Sequence, residues 1–325
     1  MQLLRRLARS IWLRLLVSAA LLAFVISRIN LGDARERLSG GHWGYFVAAV
    51  VVLFASFIVG ALRWHIYLTA AGVDLPTAGA VRAYLIGMFA NNFMPTQLGG
   101  DAARAWIVSR PGSRLRSATT VVVDRATALL CLMAVGWLAI AANPEPVPGQ
   151  IVAALGALTA AFVLGTLVLF ALSRSARLRR KLPDRFLPYA AEIRQALAAC
   201  LRPAILSRTL AIGLAFQGLV GLAAWFVGRS ISIDAPFSVL AASLAPVLLV
   251  AAAPVSIGGF GVREGAYVLL LGYASISSTD ATLFSLLSAA AFAIASLPGA
   301  FALLFRRGAA PTAAGADPGS RAGTT

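Results

Sequence analysis

The sequence predicts an all-α, polytopic membrane protein. Of its 325 residues, 59% are apolar and only 12% are charged, and the mean hydropathy is +0.83. Charged residues make up about a quarter of an ordinary soluble domain, so this composition excludes a soluble enzyme. A spanning helix needs about 20 predominantly apolar residues, and several runs of this chain reach that length.

Six long apolar runs predict six full spans, near residues 11–29, 43–63, 117–142, 150–173, 205–228 and 280–305. The first run follows basic residues as a secretory signal does, but Arg14 interrupts it and no clear cleavage site follows, so we expect an uncleaved span. Two further runs, 78–109 and 237–275, contain Pro, paired Gly and charge in their middles. Lipid tolerates such backbone only inside protein or beside a cavity, which predicts two re-entrant helical hairpins.

The net charge of +16 is distributed unevenly along the chain. In the predicted topology, 22 of the 28 Lys and Arg residues lie on one side, five lie on the other, and Arg125 lies inside a span. The positive-inside rule places the richer side, with both termini, in the cytoplasm. We therefore expect a multi-pass protein of the bacterial cytoplasmic (inner) membrane. Nucleic-acid binding is not expected, because the basic residues border spans.

The cytoplasmic loop from Ser173 to Pro203 combines a basic cluster with apolar residues at helical spacing. These apolar residues are Tyr189, Ile193, Ala196, Leu197, Cys200 and Leu201. They indicate an interfacial helix on anionic headgroups, although charge that only sets the topology explains the loop equally well. The expected organisation is a single transmembrane domain, 1–307, followed by a disordered cytoplasmic tail, 308–325.

The two predicted hairpins share one motif. It reads Pro95-x3-Gly99-Gly100-x3-Arg104 in the first and Pro254-x3-Gly258-Gly259-x3-Arg263 in the second. Each hairpin follows two spans and precedes one, which predicts two related halves, 1–145 and 146–307. The first hairpin would enter from the cytoplasmic face and the second from the opposite face, so we expect inverted repeats, as in many secondary transporters. A duplication retained for packing alone is the alternative.

Charged groups at membrane depth are costly and usually functional, so we expect the hairpins to bind a substrate headgroup near the midplane. The candidates are Arg104, Arg263, Asp101, Glu264, Asn91, Asn92, Gln97, Gly99, Gly100, Gly258, Gly259, Asp124 and Arg125. Asp101 is the expected N-cap of the returning half-helix, with Arg104 in its first turn. A helix N-terminus beside a guanidinium suits a phosphate or a carboxylate.

Closed ion pairs are the alternative for these charges, and they do not exclude binding. Arg104 would pair with Asp101 or Asp124, and Arg263 with Glu264. The Asp124-Arg125 pair is expected to face the first hairpin. Gln217 is expected to hydrogen-bond between helices.

These motifs, with Asn91-Asn92 before the first and Glu264 after the second, resemble the lysylphosphatidylglycerol synthase transmembrane family, also called the flippase-like domain. The resemblance covers roughly residues 10–307. In the bacterial multiple peptide resistance factor, a similar region is associated with moving aminoacylated phosphatidylglycerol between leaflets. The resemblance implies a translocase for an anionic or aminoacylated phospholipid, or for a related glycolipid or polyprenyl lipid. The aminoacyltransferase domain is missing from this sequence, so lysyl transfer is not expected.

Two other function classes compete with the translocase. An enzyme acting on a lipid phosphate is disfavoured: Asp101 and Arg104 superficially match the start of the CDP-alcohol phosphotransferase motif, but its later paired aspartates are missing. With His42 and His65 the only histidines, we expect no enzyme, metal or cofactor. A non-catalytic membrane partner of a glycosyltransferase or lipid-modifying synthase is the remaining alternative.

Overall fold

The computed structural model describes residues 31–92, 94, 99–110, 112–142, 147–174, 187–252 and 259–304. These residues form eleven helices and no strands, which confirms the all-α prediction. The helices are α1 (Leu31–Ser39), α2 (Trp43–Ala70), α3 (Thr77–Ala90), α4 (Gly99–Val108), α5 (Arg114–Ala142), α6 (Gly149–Arg174), α7 (Leu187–Cys200), α8 (Pro203–Ser230), α9 (Phe237–Ala252), α10 (Val262–Gly272) and α11 (Ser278–Leu304). Outside the described residues lie the predicted span at 11–29, the tail, the motif positions Pro95, Pro254 and Gly258, and the candidate residue Gln97.

Among the described helices, five are long and apolar enough to cross a membrane. They are α2, α5, α6, α8 and α11. Each coincides with a predicted span, and the chain is a multi-pass membrane protein. The main difference is at α2, which continues for seven residues past its predicted end at Arg63.

Two pairs of shorter helices form the predicted hairpins. Helix α3 packs on α4, and α9 packs on α10. At 1.5 Å per residue, α3 is about 21 Å long and α9 about 24 Å, so neither reaches across a hydrocarbon core of about 30 Å. The arms of the first hairpin touch through glycine, because a Cβ on Gly100 would lie 2.0 Å from the Gly87 carbonyl oxygen.

Helices α2 and α8 form the centre of the bundle and run antiparallel. At one end the His42 amide donates to the Ser230 carbonyl oxygen at 2.9 Å. At the other end the Tyr67 hydroxyl donates to Thr209 Oγ1 at 2.8 Å. Since the start of α2 meets the end of α8 and the reverse, the two helices are in contact along their full length.

Six further helices are arranged around this pair in matching positions. Helix α3 packs on α11, and α9 packs on α5; α4 packs on α5, and α10 packs on α11. Close packing occurs in both places: a Cβ on Gly299 of α11 would lie 2.1 Å from the Leu85 carbonyl oxygen, and one on Gly136 of α5 would lie 3.4 Å from Ala242 Cα. Each helix of the first set thus has a counterpart that makes the corresponding contacts. The counterparts are α2 and α8, α3 and α9, α4 and α10, and α5 and α11.

Candidate functional site

A buried carboxylate, Asp124 on α5, links two arginines from different helices. Its Oδ1 accepts hydrogen bonds from Arg63 Nε at 3.0 Å and Nη2 at 2.7 Å, and its Oδ2 accepts one from Arg104 Nη2 at 2.8 Å. All three side chains are at most 3% exposed. Asp124 thus holds α2, α4 and α5 together through charge-assisted hydrogen bonds.

Asp101 extends this network toward the surface of the bundle. Its Oδ1 accepts a hydrogen bond from Arg104 Nε at 3.0 Å, and its Oδ2 forms an ion pair with Arg125. The Arg125 side chain is 41% exposed, whereas that of Asp101 is 5% exposed. We call these five residues, Arg63, Asp101, Arg104, Asp124 and Arg125, the first-hairpin network. It contains three arginines and two aspartates, so it carries a net charge of +1.

Aromatic rings surround the two buried guanidinium groups. The Arg104 guanidinium carbon lies 4.7 Å from the Trp64 ring centroid and 4.8 Å from that of Tyr84, and the two centroids are 6.3 Å apart. That of Arg63 lies 5.4 Å from the Phe216 ring centroid. These contacts are cation–π interactions, which gain strength where water is excluded. In the described part of the chain, Nη1 of Arg63 and Nη1 of Arg104 have no hydrogen-bond partner.

The N-terminus of α4 differs from the prediction. The helix begins at Gly99, so Asp101 lies inside its first turn and is not the N-cap, and Arg104 lies in the second turn. The capping oxygen comes from Asn91 Oδ1, which accepts a hydrogen bond from the Gly100 amide at 2.9 Å. Because Asn91 satisfies this amide, the Asp101 carboxylate is left to pair with arginines.

The other polar and glycine candidates of the first hairpin have packing contacts. Asn92 Nδ2 donates to Ser296 Oγ on α11 at 2.7 Å. A Cβ on Gly99 would lie 2.4 Å from the Met94 side chain, and Gly100 packs against Gly87. Gln97 lies outside the described residues. Asn92 therefore joins two helices, and the glycines allow close approach.

The second hairpin carries a separate and smaller network. Arg263 Nη2 lies 2.7 Å from Glu264 Oε1, and Ser285 Oγ donates to the same oxygen at 3.0 Å. Glu264 Oε2 accepts a hydrogen bond from the Gly261 amide. Gly259 and Gly261 have φ of +77° and +82°, which only glycine adopts readily. We call Arg263, Glu264 and Ser285 the second-hairpin network; Gly258 lies outside the described residues.

The structure does not bring Arg104 and Arg263 together. Arg63 of the first-hairpin network lies beside Gly213, whereas Phe284, next to Ser285 of the second-hairpin network, lies beside Gly228. Gly213 and Gly228 are separated along α8 by about 22 Å at 1.5 Å per residue. One headgroup cannot touch both networks over that distance.

Several predicted contacts are confirmed. Arg104 pairs with both Asp101 and Asp124, and Arg263 pairs with Glu264. Asp124 and Arg125 both contact the first hairpin, although Asp124 pairs with arginines other than its neighbour. Gln217 Nε2 donates to the Ala128 carbonyl oxygen at 2.9 Å and so joins α8 to α5. That these residues bind a substrate stays a prediction.

Arg63 was not among the predicted site residues, because its position at the end of an apolar run assigned it to a cytoplasmic flank. Arg63 is 1% exposed and lies seven residues before the end of α2, about 10 Å inside the helix. The signal was present in the sequence, because residues 64–70 continue the helix with Trp, Tyr and Leu. Because Arg63 was taken as the end of the span that begins at residue 43, its burial inside α2 was not predicted.

The described residues contain no group of three or more His, Cys, Asp or Glu side chains that could hold a metal ion. A family model for the lysylphosphatidylglycerol synthase TM region matches residues 11–299. The chain belongs to this family. The lysylphosphatidylglycerol synthase TM region thus covers both hairpins and both arginine networks, and it makes the chain a lipid-related membrane protein. No curated protein matches the chain.

Proposed function

We propose that this protein is an integral membrane lipid translocase. Its cargo is an anionic or aminoacylated phospholipid, or a related glycolipid or polyprenyl lipid, whose headgroup contacts the buried arginines. The observation that carries the proposal is that one guanidinium nitrogen of Arg63 and one of Arg104, both buried, lack a hydrogen-bond partner in the described residues. An anionic headgroup supplies the acceptors that these groups lack.

Electrostatics favours use of the network over a purely structural role. Each buried ion costs several kcal/mol of desolvation, and hydrophobic residues of similar volume often stabilise a fold as well or better. The two buried arginines each have one nitrogen, Nη1, without a hydrogen-bond partner in the described residues, and this deficit is costly in a medium of low dielectric constant. A phosphate that binds two guanidinium groups compensates this deficit through bidentate hydrogen bonds.

The helix packing supports the inverted repeat. The equivalent helices α2 and α8 pack antiparallel to each other. The helices around them make corresponding contacts in the two halves, 1–145 and 146–307. A two-fold axis in the membrane plane relates such halves, and many secondary transporters are built this way. The two hairpins then enter the membrane from opposite faces.

The separation of the two networks favours binding in two steps. The headgroup contacts Arg104 and Arg63 on the side nearer the cytoplasm, then Arg263 about 22 Å further along α8. The bound lipid thus exchanges one arginine partner for another. This arrangement replaces a single midplane site with two positions at different depths.

The proposed location is the bacterial cytoplasmic membrane with both termini inside, on the basis of the charge distribution. The proposed partners are a membrane lipid and the enzyme that makes or consumes it. We propose transport without catalysis and without a metal or cofactor.

The test measures lipid movement in vesicles of phosphatidylcholine and phosphatidylglycerol that contain the purified full chain. Fluorescent phosphatidylglycerol in the outer leaflet is reduced with dithionite, and the protected fraction reports exchange between leaflets. Arg104→Gln and Arg263→Gln are expected to slow exchange by about tenfold or more, which corresponds to 1.4 kcal/mol. Each carboxylate keeps another donor in these variants: Asp124 keeps Arg63, Asp101 keeps Arg125, and Glu264 keeps Ser285.

The matched control is Arg229→Gln, since Arg229 pairs at 2.9 Å with Asp234, whose side chain is 91% exposed. This variant is expected to exchange lipid at the wild-type rate. Equal rates in all three variants would overturn the assignment of the arginines. Wild-type vesicles without exchange, together with co-purification of a glycosyltransferase or synthase, would support the accessory role instead.

A further inference from the structure

Two further arginines lie together outside both networks, at the end of the bundle where α2 ends and α5 begins. A cleft of about 310 Å³ opens there between α2, α5 and α7. It is lined by Ala71, Gly72, Arg116, Gln195, Ala198 and Arg202, among others. The two arginines come from different segments of the chain, one on α5 and the other between α7 and α8.

Both arginines of the cleft are available to an anion. Arg116 Nε lies 3.5 Å from Glu192 Oε1, and its side chain is 40% exposed. Arg202 is exposed and has no ion pair with any described residue. Neither guanidinium is enclosed as Arg63 and Arg104 are. A phosphate can therefore reach both from solvent without breaking a buried ion pair.

The exposure pattern of α7 places the cleft at the membrane surface. Ala196 and Cys200 are buried against Tyr67, Ala71 and Val123. Two turns before Ala196 on the same face, Tyr189 is 54% exposed, and Leu201, just after the helix, is 49% exposed. Exposed apolar side chains that continue a buried apolar face indicate a helix at the boundary between lipid and water. The cleft then opens at the level of the lipid headgroups.

Polar groups continue from the cleft toward the first-hairpin network. Tyr67 lies one helical turn from Ala71 along α2, and its hydroxyl contacts Thr127 Oγ1 at 3.1 Å and Thr209 Oγ1 at 2.8 Å. Arg63 lies one further turn along α2. At 5.4 Å per turn, these hydroxyls bridge the interval between the cleft and the buried arginines.

We propose that this cleft binds a phosphate group carried by an anionic lipid at the cytoplasmic surface. Arg116 and Arg202 hold the phosphate, Gln195 donates a hydrogen bond, and the acyl chains lie beside α7. The role of the cleft as the first position on the transport path rests on the proposed function. Binding itself does not depend on it.

The test is native mass spectrometry of the full chain in detergent, titrated with phosphatidylglycerol or phosphatidylcholine. The double variant Arg116→Gln/Arg202→Gln is expected to weaken phosphatidylglycerol binding by about tenfold and phosphatidylcholine binding by much less, because the choline cation offsets the charge of its phosphate. Ala198→Trp fills the cleft without changing its charge and is expected to weaken phosphatidylglycerol binding as well. Arg229→Gln removes an exposed arginine elsewhere and is expected to bind as the wild type does.

Unchanged phosphatidylglycerol binding in both cleft variants would overturn the proposal. A competition arm adds inorganic phosphate: no displacement of phosphatidylglycerol supports the lipid as ligand, and full displacement at equal concentration overturns it in favour of free phosphate. The vesicle assay separates the two proposals. If the cleft variants bind phosphatidylglycerol as the wild type does and lipid exchange is normal, only the cleft proposal is rejected. If the wild type binds phosphatidylglycerol at the cleft but does not exchange lipid between leaflets, only the translocase proposal is rejected.

Discussion

Arg63 and Asp124 form a buried ion pair in which one carboxylate oxygen accepts two hydrogen bonds, from Nε at 3.0 Å and from Nη2 at 2.7 Å. Arg63 Nη2 also donates to the backbone carbonyl of Asp124 at 3.1 Å. The pair therefore fixes α2 against both the side chain and the main chain of α5. It is the most extensively hydrogen-bonded contact between these two helices in the described residues.

Asp124→Asn is expected to destabilise the protein by about 3–5 kcal/mol, because it leaves Arg63 and Arg104 buried with insufficient negative charge. The measurement is unfolding of the purified protein in mixed micelles with increasing SDS. Asp234→Asn is the control, since that carboxylate is 91% exposed and its pair is worth less than about 1 kcal/mol. Similar losses in the two variants would contradict the structural importance of Asp124.

Gly100→Ala is expected to destabilise the first hairpin by about 1–3 kcal/mol through overpacking. The added Cβ would lie 2.0 Å from the Gly87 carbonyl oxygen and 2.5 Å from Asn91 Oδ1, so the two arms must separate. Gly265→Ala in α10 is the control, because a Cβ there meets nothing within 4 Å. Alanine at an open helical position is expected to be neutral or stabilising. Thermal unfolding measures both variants. A lower unfolding temperature for Gly265→Ala than for Gly100→Ala would reject the close approach of α3 and α4.

Asn91→Ala is expected to cost about 1 kcal/mol, the usual value of a lost helix cap, because the Gly100 amide then has no acceptor. Asn91→Asp keeps the accepting oxygen and is expected to restore most of this stability. The same SDS titration measures both variants. If aspartate and alanine destabilise equally, Asn91 does not act as the cap.

Cys200 is expected to react slowly with maleimide at neutral pH. Burial raises the pKa of this thiol to about 11, and the thiolate is the reactive form. Because the pKa is raised, the thiolate fraction is small below pH 11 and increases as the pH approaches it. Labelling in a Cys131→Ala background, with a Cys200→Ala/Ala198→Cys variant of the same background for comparison, measures this difference.

Ala198 is exposed on the same helix and is expected to give a rapidly labelled cysteine. Labelling of Cys200 at the same rate would show that α7 does not pack against α2 as described.

Much of the fold could be predicted because membrane helices follow from composition and length. Five predicted spans are present, and short paired helices stand at each of the two motifs. That the two halves are inverted repeats stays a prediction. The pairing of Arg104 with Asp101 and Asp124 was predictable for a similar reason, since buried charges require partners.

The errors came from features that depend on tertiary contacts. Hydropathy cannot distinguish an arginine that ends a span from one inside it, so Arg63 was missed. Asp101 has the residue type of an N-cap, but Asn91 reaches the helix terminus from the preceding arm. The depth of each network likewise depends on how its helices pack against α8: Arg63 lies beside Gly213, and Phe284 lies beside Gly228.

The aromatic rings beside Arg104 tie its exposure to the packing of three helices. Trp64 belongs to α2 and Tyr84 to α3, so the guanidinium on α4 contacts a ring on each of two neighbouring helices. Glycine contacts hold α3 and α4 closely together. Under the proposed translocation, access of water to Arg104 therefore requires α3 and α4 to move away from Trp64 as one unit.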